Sequence, residues 1–357
     1  MIRSLIVSNF RCYKHFELAD LRRLNVVVGK NATGKTALLE AVRLALGATP
    51  GALWAMNQVR SVPMYLQTPM SREQWEAIWT PYFFNFNTSE RISTECTDAD
   101  GRQASLQIYF DSQKSVTSVP SAPTTQQQAP PVATIIPLAF ERTDFPGNHT
   151  KLYSSVQSNG ALTLDPGPEF ATVIDNVASA LATNPQQSAQ WFSQLRIQQR
   201  DKEIIDAVRE EFNPLIESLD VLVPGQIPMI YASVKNLKEK IPLALVSAGI
   251  NKFVAMLSTL LARKDTVVLI DEIENGLYYK TLASLWRTIL KLAIQNNTQI
   301  FATTHSLECV RALLPTLEGH EDLVTLLRVE RENGSSQITT VSGQFLEAAI
   351  EQGFEVR

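Results

Sequence analysis

Short apolar runs separated by polar turns extend along this chain and predict a mixed α/β fold. Residues 24–28, 266–270 and 299–304 are rich in β-branched and aliphatic side chains, a pattern typical of parallel strands buried on both faces. Residues 37–46 form an apolar stretch that indicates a helix. We therefore predict a central sheet whose strands are followed by helices.

The middle of the chain has different patterns. In residues 91–97 and 104–110, apolar and polar residues alternate, which predicts an antiparallel sheet that flanks the central one. Residues 111–131, rich in Ser, Thr, Gln and Pro, predict a flexible loop. Apolar residues then recur every three to four positions from 168 to 222, including 170–181 and 204–219, which predicts two or three helices. No heptad repeat is sustained, which excludes a long coiled coil.

These patterns predict three parts. Residues 1–165 and 223–357 would form the two parts of one core, and residues 166–222 an inserted helical arm or dimerisation region. The second core part would end in a hairpin over 323–341 and a short helix over 344–351.

Aromatic residues cluster in the first part of the chain. Their number is more typical of a hydrophobic core than of a platform for stacking bases. They are Trp54, Trp75, Trp79, Tyr82, Phe83, Phe84 and Phe86.

Composition limits the possible partners. The 357 residues carry a net charge of −4, so nucleic-acid binding would require a local basic patch. Each candidate patch is short and more typical of a solvated face. The candidates are Arg22 with Arg23, Arg196 with Arg200 and Lys202, and Lys235 with Lys238 and Lys240.

Three scattered cysteines fit a reducing compartment and offer no metal-binding spacing. The sequence has no run of eighteen apolar residues. We expect a cytoplasmic protein that neither enters a membrane nor holds a transition metal.

A phosphate-binding loop directly follows the first predicted central strand. Its spacing is G-x-x-x-x-G-K-[ST], in which glycines let successive N–H groups face one concavity at the start of a helix. Lys35 would reach the β- and γ-phosphates, and the Thr36 hydroxyl would hold Mg²⁺. The predicted nucleotide-binding residues are Gly29, Lys30, Asn31, Ala32, Thr33, Gly34, Lys35, Thr36 and Ala37.

Two other strand ends carry candidate catalytic groups. Asp271 and Glu272 follow the apolar run at 266–270, where Asp271 would position Mg²⁺ and Glu272 would polarise the attacking water. His305 ends the strand at 299–304 and would sense the γ-phosphate if the two strands are neighbours. Taken alone, such a histidine is more often structural.

A fourth motif is the turn that contains Ser247 and Gly249, which opens an apolar helix about twenty residues before Asp271. A helix N-terminus of this kind can bind an anion. Because the chain already has a phosphate loop, this turn would serve the nucleotide of another molecule, or it is an ordinary capped core helix.

The order of these motifs, with residues 5–13 before the phosphate loop and residues 271–277 before Thr304, His305 and Ser306, resembles the ATP-binding-cassette type of P-loop ATPase found in chromosome-maintenance and recombination proteins. The nearest resemblance is to the ATPase module of the overcoming-lysogenization-defect (OLD) family. It covers residues 1–50 and 240–330, and implies an α/β core with a mixed central sheet, a flanking antiparallel sheet and an inserted helical region.

The resemblance also implies specific roles. Ser247 and Gly249 match a signature loop that contacts ATP held by a second copy, so two copies would enclose Mg-ATP, with residues 274–277 at their interface. Arg11 would lie near the base or the first phosphates. The γ-phosphate-sensing glutamine is either Gln58 or Gln67.

Departures from the pattern narrow the function. The signature differs from the Ser-Gly-Gly-Gln of transporters, which argues against transport, and Tyr278 stands where OLD-type modules often have histidine. We expect no TOPRIM nuclease domain. The first hypothesis is therefore an ATPase that regulates a separate effector in a bacterial or phage defence system. The alternatives are a DNA-repair or recombination ATPase that binds duplex DNA and a non-hydrolysing scaffold, which Glu272 argues against.

Overall fold

The structure, a computed structural model, describes residues 1–59, 70–118, 133–157, 159, 161–167, 174–177 and 185–351. Its strands are β1 (Ile2–Phe10), β2 (Tyr13–Leu18), β3 (Leu24–Val28), β4 (Ile92–Asp98), β5 (Gln103–Phe110), β6 (Val116–Ser118), β7 (Ala133–Ile135), β8 (Leu138–Thr143), β9 (His149–Val156), β10 (Leu162–Leu164), β11 (Ile174–Val177), β12 (Ile216–Leu222), β13 (Met229–Val234), β14 (Ile241–Pro242), β15 (Val267–Ile270), β16 (Gln299–Thr304), β17 (Val324–Glu332) and β18 (Ser335–Ser342).

The helices alternate with these strands in the second half of the chain. They are α1 (Lys35–Gly47), α2 (Pro50–Val59), α3 (Arg72–Trp79), α4 (Pro185–Ile197), α5 (Asp201–Glu211), α6 (Leu243–Val246), α7 (Ala248–Ala262), α8 (Leu282–Gln295), α9 (Leu307–Leu317) and α10 (Leu346–Glu351). None of the helices within the described ranges is long and apolar enough to span a bilayer.

The central sheet is mixed and has the order β11-β15-β16-β3-β17-β18. All neighbouring pairs are parallel except β17 and β18, which form a closing hairpin. This confirms the predicted strands at 24–28, 266–270 and 299–304 and the C-terminal hairpin.

Both faces of the central sheet are buried. On β3, Leu24, Val26 and Val28 pack into a core with helices α7, α8 and α9, and Val27 packs into a second core with α1 and the antiparallel sheet. This two-sided burial explains why the strand is apolar at every position except Asn25 and does not alternate.

The flanking sheet is antiparallel and has the order β10-β9-β8-β5-β4-β1-β2. Strands β4 and β5 correspond to the predicted alternating segments, so the flanking sheet is confirmed. Trp75, Trp79, Tyr82 and Phe83 are buried in its core, as expected for most of the aromatic cluster, but Phe86 is exposed.

The inserted helical region is confirmed by α4 and α5, but two segments predicted as helix are strands. Residues 174–177 form β11, parallel to β15, and residues 216–222 form β12, paired with β13. Pro214 lacks an N–H and disfavours helical backbone at the residue before it, so the helix ends at Glu211 and the chain continues as a strand. The rest of the helix predicted at 170–181 lies outside the described residues.

The two helices lie on the core. Ala189, Phe192 and Leu195 of α4 are fully buried in the same cluster as α7. They do not project as the arm that the sequence suggested. Burial of the apolar side chains at these positions stabilises the fold, because it removes apolar surface from water. Most of the predicted loop at 111–131 lies outside the described residues, and its first part contains β6.

Candidate nucleotide site

The site lies at one edge of the central sheet. Strands β15, β16 and β3 are adjacent and parallel, so their carboxyl ends meet at the same edge. The phosphate loop follows β3, Asp271 follows β15 and His305 follows β16. Three motifs far apart in sequence are therefore neighbours, at the position where α/β sheets commonly bind ligands.

The phosphate loop has the backbone conformation that its glycines permit. Gly29 and Gly34 have φ values of 147° and 118°, and Ala32 between them has 60°. A Cβ at Gly29 would lie 2.3 Å from the carbonyl oxygen of Val329, so there is no room for a side chain. The Lys35 Nζ donates to the carbonyl oxygens of Gly29 and Lys30 at 2.7 and 2.8 Å, which holds the loop curved.

Two further hydrogen bonds hold the loop, one from within and one from outside. The Thr33 hydroxyl donates to the Lys30 carbonyl at 2.9 Å, and the Tyr13 hydroxyl donates to the Gly34 carbonyl at 3.0 Å. Helix α1 then begins at Lys35, and Gly34 provides no side-chain cap for its first N–H groups. Free N–H groups at a helix start form an anion site, so this cradle fits a phosphate.

Negative charge from the acidic strand end reaches Lys35. Burial lowers the pKa of Lys35, and the carboxylates of Asp271, Glu272 and Glu274 oppose that shift. The lysine and the acids therefore belong to one electrostatic site.

Oxygen atoms converge where a divalent cation would be needed. The Thr36 hydroxyl lies 3.2 and 3.3 Å from the two carboxylate oxygens of Asp271. The Thr303 hydroxyl donates to Asp271 at 2.6 Å. Hydroxyl and carboxylate oxygens are the ligands that Mg²⁺ takes in phosphate sites, so these residues fit the ion.

Glu272 is held in an unusual conformation by three residues. Its φ is 49°, its N–H donates to the Thr303 hydroxyl at 2.7 Å, and the Asn275 side-chain amide donates to its carboxylate at 3.1 Å. The third residue is Lys252 of α7, whose Nζ donates to the carbonyl oxygens of Asp271, at 3.1 Å, and Glu272. Backbone in this region is sparsely populated by non-glycine residues and persists where surrounding contacts fix it.

Sequence reasoning missed Lys252 and Thr303. Lys252 is fully buried, and burial lowers its pKa from 10.5 to about 8. A lysine within the otherwise apolar helix that follows the Ser-x-Gly turn was the available signal, because a buried ammonium requires acceptors. For Thr303, the signal was a hydroxyl at the end of a strand buried on both faces.

His305 lies near the acids but does not line the cavity described below. Its Nδ1 lies 3.1 Å from the Glu274 carboxylate, its backbone N–H donates to the same oxygen at 3.0 Å, and the side chain is half exposed. The structure therefore joins His305 to Glu274, and its contact with a γ-phosphate stays a prediction.

Ser247 and Gly249 also lie outside the cavity. The Ser247 hydroxyl accepts the Ile250 N–H at 3.4 Å as the cap of α7. Gly249 packs so closely on Gly276 that a Cβ would lie 1.9 Å from the Gly276 oxygen. The signature turn and the loop over residues 274–277 therefore form one continuous surface.

A cavity of about 640 Å³ joins the phosphate loop to the acids. Of the predicted site residues, it is lined by Arg11, Asn31, Ala32, Gly34, Lys35, Thr36, Ala37, Asp271 and Glu272. Gly29, Lys30 and Thr33 shape the loop from behind. Of the two candidate glutamines, Gln58 lies on α2 and Gln67 lies outside the described residues.

Arg11 also lines this cavity and contacts its aromatic part. Its guanidinium lies 4.0 Å from the centroid of the Tyr82 ring, and its Nε donates to Glu40 at 3.1 Å. Its Nη2 is buried without a hydrogen-bond partner among the described residues. This donor could bond a ligand oxygen, and the contact of Arg11 with a nucleotide stays a prediction.

Comparison with known proteins identifies the family. The sequence profile described as "AAA domain, putative AbiEii toxin, Type IV TA system" matches residues 133–311, half of the chain, and the profile described as "AAA ATPase domain" matches residues 1–122. The chain belongs to this AAA family. It is a P-loop ATPase, and the family binds nucleotide.

Individual proteins similar to this AAA ATPase are distant. An "ATP/GTP phosphatase" of Helicobacter pylori is 25% identical over 88% of this chain and 87% of its own length. "Structural maintenance of chromosomes protein 6" of Saccharomyces cerevisiae is 49% identical over 47 residues, 13% of this chain and 4% of that protein. A solved Smc head bound to the C-terminal winged-helix domain of ScpA aligns over 98% of this chain and 99% of that one, with a TM-score of 0.49 and 13% identity.

Proposed function

We propose that the AAA ATPase binds Mg-ATP in this cavity, hydrolyses it there and uses the cycle to regulate a separate effector. The supporting observation is that Lys35, Thr36, Asp271 and Glu272 line one cavity, although Thr36 and Asp271 are 235 positions apart. An unrelated structural role would not require a cation, a hydroxyl and two acids to share one water-accessible space.

Each residue has a defined part in the proposed reaction. Lys35 and the loop N–H groups stabilise charge on the phosphates, and Thr36 and Asp271 hold Mg²⁺. The ion, when bound, neutralises charge that develops on the phosphate oxygens. Glu272 orients the attacking water through its carboxylate, which Asn275 holds in place.

A second copy of the chain would complete the site. Ser247 and Gly249 are outside the cavity of their own chain, so a contact with ATP requires the ATP of another protomer. Large side chains are exposed beside both parts of this surface: Leu245 is close to Ser247 in the sequence, and Tyr278 and Tyr279 follow the loop over residues 274–277. Apolar surface of this kind is typical of interfaces. In this proposal His305, bonded to Glu274, senses the γ-phosphate as the two copies close.

The family description supports a role in defence. It names a toxin of a toxin–antitoxin system, in which an ATPase that controls an effector is a fitting component. Membership in the OLD group and a phage or bacterial defence role are parts of this proposal.

Direct binding of duplex DNA is the alternative, in line with the name of the chromosome-maintenance relative. The candidate basic patches support it weakly. Arg196 and Lys240 both pair with Asp220, and Arg200 pairs with Glu203. Cations paired within the protein release fewer counterions on binding phosphates, so they contribute less affinity.

The test measures ATP turnover and oligomeric mass, with and without duplex DNA. Native protein is compared with Glu272→Gln and with Glu210→Gln, a matched change at an exposed position of α5. We expect Glu272→Gln to lower turnover by about 100-fold or more and to accumulate as an ATP-bound dimer, because water activation is lost while binding remains. Glu210→Gln should behave as native.

Three results would change the proposal. Retained turnover in Glu272→Gln would exclude Glu272 from the chemistry. Turnover by a stable monomer would exclude the shared site. Strong, salt-dependent stimulation by DNA would favour the DNA-binding alternative.

A further inference from the structure

An aromatic segment lines the same cavity as the phosphate loop. Phe83, Phe84, Asn85 and Phe86 form part of its wall, together with Arg11. Phe83 is buried and stacks on Phe110 with ring centroids 5.9 Å apart, whereas Phe86 is 67% exposed. Burial of a phenylalanine ring stabilises a folded protein, and an exposed ring does not make this contribution.

The segment has a backbone conformation that residues other than glycine rarely adopt. Asn85 and Phe86 are consecutive residues with φ values of 49° and 58°. Left-handed backbone at a bulky residue costs free energy and is concentrated at ligand-binding positions. The exposed ring is therefore presented by a strained turn, and neighbouring contacts must hold that turn.

Those contacts come from the strand end that carries Arg11. The Asn9 side-chain amide donates to the carbonyl oxygens of Asn87 and Glu90, at 3.3 and 2.9 Å. Phe10 forms an isolated β-bridge with Phe83. The backbone N–H of Arg11 donates to the Tyr82 carbonyl at 2.8 Å, and its guanidinium donates to the Pro81 carbonyl at 3.3 Å.

These bonds fix the aromatic segment relative to Arg11 on both sides of the exposed ring. The wall of the cavity is thus built before any ligand enters, which reduces the entropic cost of binding.

The lining of the cavity is therefore of two chemical kinds. Lys35 and Thr36 belong to the phosphate loop, and Phe83, Phe84 and Phe86 provide aromatic rings. Arg11 contacts both parts, because its Nε donates to Glu40 of α1 and its guanidinium donates to the Pro81 carbonyl. Its volume of about 640 Å³ is within the range of sites for nucleotide-sized ligands. A nucleoside triphosphate has the two matching parts, an anionic phosphate chain and a flat aromatic base.

We propose that the segment Phe84–Phe86 is the nucleobase site, with the Phe86 ring stacked on the face of a purine. This inference rests on the proposed function, because it assumes that the phosphates of the same ligand occupy the loop at Lys35. Stacking on an aromatic ring uses the π-face that every base has. The site therefore accepts adenine and guanine with similar affinity and binds the smaller pyrimidines less tightly.

The experiment measures dissociation constants in the presence of Mg²⁺ for ATP, GTP, CTP and inorganic tripolyphosphate. The variants are Phe86→Ala and Phe86→Tyr, which keeps a ring. The matched control is Phe345→Ala, because Phe345 is 66% exposed but belongs to a turn at the other end of the chain. Oligomeric mass is measured for every variant at saturating ATP.

We expect Phe86→Ala to weaken ATP and GTP binding by about 10-fold or more, within the range that single base–aromatic stacks contribute. Binding of CTP should weaken less, and binding of tripolyphosphate should be unchanged, because it has no base. Phe86→Tyr should restore ATP affinity, and Phe345→Ala should match the native protein.

Other results separate the failure of this inference from failure of the proposed function. Native-like ATP affinity in Phe86→Ala overturns the nucleobase site and leaves the ATPase site intact. Loss of dimer mass with unchanged ATP affinity overturns it as well and assigns Phe86 to the interface. If Phe86→Ala weakens tripolyphosphate as much as ATP, the ring supports the phosphate loop instead of the base. If native protein binds no nucleotide, the proposed function fails first.

Discussion

The phosphate loop and the acidic strand end face each other across one cavity but are built in opposite ways. The loop is held largely by its own residues: Lys35 bonds two carbonyl oxygens of its own turn and Thr33 bonds Lys30, while the hydroxyls of Tyr13 and Ser336 each add one bond from outside. The acidic end is assembled from three distant segments, because Lys252 of α7 and Thr303 of β16 hold the backbone and side chain of Asp271 and Glu272.

The difference determines how each half responds to change. A loop held largely by its own residues is sensitive to backbone geometry at its glycines and tolerant of substitutions in distant parts of the chain. The acidic end depends on long-range packing, so residues with no place in the reaction control the position of Glu272. We therefore expect substitutions in the loop to affect nucleotide binding and substitutions around the acids to affect turnover at constant binding.

The largest effect should come from Gly29→Ala. Its φ is 147° and its Cβ would lie 2.3 Å from the Val329 oxygen, so the loop must shift. A displacement of about 1 Å in a positioning element lowers catalytic efficiency by about 100-fold. We expect a loss of that size in kcat/KM, together with weakened ATP binding in equilibrium titrations.

The control for Gly29→Ala is Gly101→Ala. Gly101 also has a positive φ, of 79°, but a Cβ there meets nothing within 4 Å. Gly101→Ala therefore introduces backbone strain without a steric clash. Equal losses of ATP binding in Gly101→Ala and Gly29→Ala would contradict the account of the loop.

A smaller effect is expected for Lys252→Met. The change keeps an unbranched side chain but removes the donor to the Asp271 and Glu272 carbonyl oxygens. Leaving buried polar groups unsatisfied costs about 1–3 kcal/mol, equivalent to about 10- to 100-fold in rate if Glu272 leaves its position. We expect kcat to fall by this factor while the dissociation constant for ATP changes little.

The readout is single-turnover hydrolysis with saturating ATP, with thermal denaturation to establish that the variant is folded. Lys252→Arg, which restores a donor, should recover part of the rate. A variant that is folded and has native kcat would remove Lys252 from the positioning of Glu272.

The same contrast explains what sequence alone predicted. The loop is contiguous, so its spacing between a strand and a helix was enough to predict every residue from Gly29 to Ala37 as a binding residue, and Asp271 and His305 were predicted from apolar runs that finish in polar groups. Lys252 was missed, and Phe86 was assigned to the hydrophobic core with the other aromatic residues, because the surroundings of both side chains depend on long-range packing. The strand at 216–222 was predicted as helix because its apolar spacing fits either structure, and pairing with β13 decides between them.

The smallest expected effect is the part of the pH dependence of stability that Lys252 contributes at the acidic end. Burial lowers the pKa of Lys252 to about 8, while the charges of Glu274, Asp271 and Glu272 oppose the shift. Cys309 also faces it, but burial raises the pKa of that thiol to about 12, so it stays protonated through the relevant range.

Between pH 8 and the ordinary lysine value of 10.5, the unfolded chain therefore binds more protons at this position than the folded protein. Stability contributed by Lys252 must rise with pH across that window, by at most about 1.4 kcal/mol per pH unit. In denaturant titrations, the free energy of unfolding of the native protein should rise relative to that of Lys252→Met as pH increases from 8. A difference between the two free energies of unfolding that stays constant across this range would mean that the buried Lys252 ammonium keeps its proton in the folded protein.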